Sequence, residues 1–115
     1  MTLRYRFLGI PGTIDELAEH ASKKGDGHVD IVVFGDVERT RNGERQSHYQ
    51  AVAKSNGGHL TLATERIPLP RVSDPLVEWY INDDAVSRVL AQGKRHADYL
   101  ATKGLDVSVY NLAQF

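Results

Sequence analysis

Apolar and polar residues alternate at the start of the chain. Leu3, Tyr5 and Phe7 fall on one side and Arg4 and Arg6 on the other, which predicts a strand with one wet face over Leu3 to Leu8, stopped by Pro11 and Gly12. Thr13 with Glu16 three residues on has the spacing of a helix capping box. Ile14, Leu17, Ala18 and Ala21 then recur at helical intervals, and Gly25 stands where a left-handed cap would end the helix. Val29 to Arg41, Glu44 to Lys54 and His59 to about Glu65 read as three strands joined by Asn42-Gly43 and Asn56-Gly57, both strong hairpin turns.

Two-residue loops at both turns fix a register. Arg41 then faces Glu44, Val32 faces Ala53 and Phe34 faces Ala51, while Ser55 faces Gly58, Ala53 faces Leu60 and Ala51 faces Leu62. The predicted core face is Val32, Phe34, Tyr49, Ala51, Ala53, Leu60 and Leu62. The other face carries Ile31, Val33, Val52 and Ala63 among polar residues, and Gly35 is a natural place for a bulge. Ile67-Pro68-Leu69-Pro70 ends the third strand and starts a short extended crossover. Leu76 to Ile81 fits helix or strand. Asp83 reads as the N-cap of a long helix with Val86, Val89, Leu90, Gly93, Ala97 and Leu100 as its inner stripe; Gly104 stops it, and Leu105 to Leu112 alternates as a last strand.

The fold class is therefore α+β in a single domain, 1–115. A mixed sheet has a central antiparallel three-stranded meander (about 29–65), two main helices (about 13–24 and 84–103) and a C-terminal strand. Cysteine is absent from the 115 residues, which excludes disulfides, thiolate catalysis and cysteine-type zinc sites. Fourteen basic and fifteen acidic residues leave a net charge of -1, a balance that disfavours nucleic acid as a partner. No apolar run approaches the roughly 20 residues that span a bilayer, and the N-terminus lacks signal-peptide features, so the expectation is a cytoplasmic protein with no membrane association.

Candidate chemistry is sparse. His20, His28, His48, His59 and His96 have no metal-binding spacing, the glycines form no phosphate-binding loop, and no metal or cofactor is expected. Asp36, His48 and Tyr49 are the weak catalytic candidates. In the expected register Asp36 lies opposite Tyr49 on one face, with His48 on the other. Arg39, Arg41 and Arg45 form a charged arm with Glu38 and Glu44 at the hairpin tip, suited to an acidic partner or to a solvated edge. Trp79 and Tyr80 are adjacent aromatics of the kind that anchor interfaces. Arg88, Gln92, Arg95 and Lys103 make a basic stripe on the long helix.

These features favour a small non-catalytic binding or regulatory protein acting through protein–protein contact or self-association, as a possible homodimer. Two alternatives stand beside it. One is an RNA-binding module, because the middle of the chain runs α-β-β-β-α, although Asp83 and Asp84 put acid at the start of the long helix. The other is a small acid/base enzyme using Asp36, Tyr49 and a histidine.

Overall fold

A computed structural model describes residues 13–55, 58–69 and 83–113. The expected strand over Leu3 to Leu8, the Asn56-Gly57 pair, Pro70, the ambiguous Leu76 to Ile81 segment and the Trp79-Tyr80 pair lie outside the described residues.

Helix α1 (Ile14–Lys24) begins as its pattern requires: the Thr13 hydroxyl accepts a hydrogen bond from the Glu16 amide at 3.1 Å. Its end differs from expectation. Gly25 is extended, and the left-handed residue is Gly27 (φ 77), whose amide reaches back to the Ala21 carbonyl at 3.1 Å. The chain leaves the helix straight and turns two residues later, where the Asp26 carboxylate accepts from the His28 amide and starts strand β1 (His28–Arg39).

Strands β1, β2 (Arg45–Ser55) and β3 (Gly58–Pro68) form the meander. Strand β4 (Asp106–Asn111) joins β1 in parallel, giving the order β3-β2-β1-β4. The first hairpin departs from the two-residue loop. Arg39 pairs with Arg45, the Thr40 amide donates to the Glu44 carbonyl at 2.8 Å, and the Gly43 amide donates to the Thr40 carbonyl at 3.0 Å. This is a three-residue loop, a tight turn followed by a left-handed residue, with Gly43 at φ 81. Because the side-chain period is two, one extra loop residue moves β1 by one position against β2 and turns it over. Ile31 now faces Ala53 and Val33 faces Ala51. Val29, Ile31 and Val33 are fully buried, whereas Val32 and Phe34 are half-buried on the opposite face.

The second hairpin keeps its expected register through Ser55–Gly58 and Ala53–Leu60. Beyond Val52–Thr61 the ladder jumps to Ala51–Ala63, so the bulge sits at Leu62 rather than at Gly35, and β1 pairs with β2 without interruption from Asp30 to Arg39. Strand β3 runs on to Pro68, past the expected end near Glu65. As the outermost described strand it tolerates a proline in its last position.

Helix α2 (Asp83–Thr102) starts at Asp83 itself, which lies inside the first turn rather than capping it. Its C-terminus is a Schellman motif. The Leu105 amide bonds to the Leu100 carbonyl and the Gly104 amide to the Ala101 carbonyl, with Gly104 at φ 83. Leu100 and Leu105 are both buried in the same apolar cluster, the contact that accompanies this motif. That cluster joins α1 (Leu17, Ala18, Ala21) to Val29, Ile31 and Ala53; a second sets Ala85, Val86 and Val89 of α2 over Val33, Tyr49 and Ala51. Burial of one such aliphatic side chain contributes roughly 1.5–3 kcal/mol. Both helices pack on the sheet face formed by these residues. Gly93 lets α2 sit close, since a Cβ there would lie 3.2 Å from Ile31 Cγ2. Among the described residues no helix is long and apolar enough to cross a membrane.

Candidate functional site

The shifted first hairpin rearranges the candidate catalytic residues. Asp36 pairs with His48, not with Tyr49; Tyr49 pairs with Gly35 and its ring is buried on the helix side. Carboxylate and phenol are thus on opposite faces of the sheet, while carboxylate and imidazole are neighbours on the face away from the helices. The group that meets His48 is Glu38, whose Oε2 lies 3.4 Å from His48 Nδ1. Glu38 Oε1 also accepts from Arg66 Nε at 2.7 Å and Gln46 Nε2 at 2.6 Å. These two bonds, Arg66 before Gln46, hold the Glu38 carboxyl below the usual carboxylate range. The network ties β1, β2 and β3 together. His48 is buried, and its Nε2 has no hydrogen-bond partner among the described residues.

Of the arginines at the hairpin tip, Arg39 donates from Nη1 to the Gly43 carbonyl at 3.1 Å and stands directly opposite Arg45. Arg41 is exposed in the loop. Arg39 thereby supports the turn.

The sequence did not single out His28. Its ring lies between two carboxylates, Nε2 2.6 Å from Asp30 Oδ1 and Nδ1 2.9 Å from Asp106 Oδ2, and so links β1 to β4. The hydrogen bonds to Asp30 and then Asp106 hold its pKa above the ordinary imidazole value. The only signal was the alternation of His28 and Asp30 with Val29 and Ile31; Asp106 comes from a strand 78 residues away. A group whose folded-state pKa is raised favours folding fully below its unfolded value near 6.5, and that contribution disappears as pH climbs through the folded value. In an NMR titration, His28 is expected to titrate above the ordinary imidazole value near 6.5, and Asp30→Asn is expected to lower its pKa. A His28 that titrates at the ordinary value would remove the clamp.

The basic stripe on α2 divides. Lys103 leaves it, its Nζ resting 5.2 Å from the centre of the Tyr99 ring. Arg88, Gln92 and Arg95 line a groove of about 630 Å³ between α2 and β3, with Leu62, Ala63, Thr64, Glu65, Val89 and Ala91. Arg88 grips Glu65, with Nε 2.9 Å and 3.0 Å from the two carboxylate oxygens, and holds that carboxyl below its usual range. Arg95 is exposed and has no carboxylate partner among the described residues. The groove therefore offers an apolar floor, one settled ion pair and, in Arg95, a guanidinium without a carboxylate partner among the described residues. Among the described residues no three histidine or acidic side chains are placed to hold a metal ion.

No protein-family model, curated protein or solved structure matches this chain.

Proposed function

We propose that this protein is a non-catalytic binding or regulatory protein that acts by protein–protein contact, with the groove between α2 and β3 as its working surface. The observation that carries this reading is the groove itself. It combines apolar lining, the amide of Gln92 and the exposed guanidinium of Arg95, a mixture suited to orienting a partner. Arginine supplies several directional donors and loses little hydration on docking, which suits it to an interface. The separation of Tyr49 from Asp36 and His48 counts against the acid/base alternative. Acid at Asp83 and Asp84 counts against a phosphate-facing α2, although the α1-β1-β2-β3-α2 order is that of an RNA-binding module.

The test is a photo-crosslinking residue placed at Gln92 in the groove or, separately, at Lys54, which is exposed on β2, in the cells that make the protein. A protein adduct at Gln92 and none at Lys54 is the expected result. An adduct of twice the chain mass would make the partner a second copy, the self-associating form of the same reading. An adduct only at Lys54, a ribonuclease-sensitive adduct, or none at either position would reject it.

A further inference from the structure

We infer that the occupant of the α2–β3 groove is an extended peptide segment with an acidic side chain, which adds as a fifth strand along β3. The inference rests on the binding reading above and goes on to name the partner's form and charge.

Strand β3 is the outermost described strand on its side of the sheet, so the edge it turns away from β2 has no strand beside it among the described residues. Such an edge presents main-chain donors and acceptors at strand spacing, which an extended peptide can match. The usable length is bounded. The bulge at Leu62 disrupts the ladder at one end, and Pro68, which has no N–H, closes the other. Between them Ala63 to Ile67 is regular, roughly 16 Å of edge at about 3.3 Å per residue. Helix α2 runs alongside, and Arg88 to Arg95 covers roughly 10 Å of it at about 1.5 Å per residue. Both lengths suit a peptide of three to five residues, approximately.

Alternate side chains of such a peptide would point into the helix layer. There they meet Ala63 and Val89 on the floor and Arg95 on the wall. Arg88 is already neutralised by Glu65, so the lining guanidinium without a carboxylate partner among the described residues is that of Arg95, and the complementary ligand group is a carboxylate. Main-chain pairing would give affinity and Arg95 would give selectivity.

The probe is a capped seven-residue peptide with threonine on one face and two glutamates flanking a valine on the other, titrated into isotope-labelled protein. Amide shifts are expected at Ala63, Thr64 and Glu65 of β3 and at Gln92 and Arg95 of α2. Replacing the glutamates by lysine, or making the exposed Arg95→Glu substitution, is expected to weaken binding about tenfold or more. A fully N-methylated version is expected to lose binding, because it cannot pair with a strand edge. Shifts confined to another surface, or an N-methylated peptide that binds equally well, would overturn strand addition. So would groove shifts that grow with protein concentration in the absence of peptide, which would make a second copy the occupant. Failure here with a retained Gln92 adduct in cells discards the peptide and keeps the binding function; loss of that adduct discards both.

Discussion

Replacing Ile31 by alanine is expected to cost about 3–4 kcal/mol of stability, whereas the same change at its neighbour Val32 is expected to cost about 1 kcal/mol. Ile31 is fully buried beneath α2, faces Ala53 across the hairpin and meets the point where Gly93 brings the helix close. Truncation there removes transferred apolar surface and also leaves a cavity, because the helix above and the strand beside it are held by other contacts. Val32 lies on the other face, half-buried, where solvent fills the space left by two methyl groups. Urea unfolding followed by circular dichroism measures both. The contrast tests the register directly, because a two-residue loop at Asn42-Gly43 would reverse it. Equal losses, or a larger loss at Val32, would overturn the three-residue hairpin.

Gly35→Ala is expected to cost about 2–3 kcal/mol, although alanine is ordinarily the better residue inside a strand by roughly 0.5–1 kcal/mol. The reason is steric. An added Cβ would lie 2.7 Å from Cδ1 and 2.9 Å from Cε1 of Tyr49, the residue paired with Gly35 across the ladder. Tyr49 is 4% exposed and packed among Val33, Ala51, Ala85, Val86 and Val89, so its ring has little room to withdraw. The clash belongs to the pair, and the effect is therefore expected to be non-additive. In a Tyr49→Leu background, Gly35→Ala should cost about 1 kcal/mol or less. Thermal or urea unfolding of the four proteins closes the cycle; full additivity would mean that the ring and the glycine do not touch.

Much of the fold was legible wherever a local signal had no competitor. Thr13 and Glu16 mark a helix start because an N-cap hydroxyl can accept from an amide of the first turn that has no carbonyl partner within the helix. Gly104 marks a helix end because few other residues take a left-handed cap without strain. The first hairpin was different. Asn42-Gly43 fits both the two- and the three-residue loop, and Ile31, Val32, Val33 and Phe34 are apolar on both faces, so neither turn nor pattern chose between them. The one local hint lay just upstream, where polar His28 and Asp30 alternate with Val29 and Ile31, too short a run to settle the register. Apolar Val32 and Phe34, aligned with Tyr49, Ala51 and Ala53 by the shorter loop, outweighed it.

The groove divides the same way. Arg88, Gln92 and Arg95 recur at helical intervals, so their common position on α2 was visible from spacing alone. That Glu65 engages Arg88 and not Arg95 was not visible, since the pair spans 23 residues and depends on the Leu62 bulge and on where α2 crosses β3. By itself the sequence determined what its neighbours along the chain control: the extents of the two helices, the pairing of Ser55 with Gly58 in the second hairpin and the residue types on each helical face. Tertiary structure alone decided which face of β1 is buried, which carboxylate meets His48 and which arginine Glu65 engages. Each of these is a competition between local solutions of nearly equal energy, and packing of the two helices against the sheet breaks the tie.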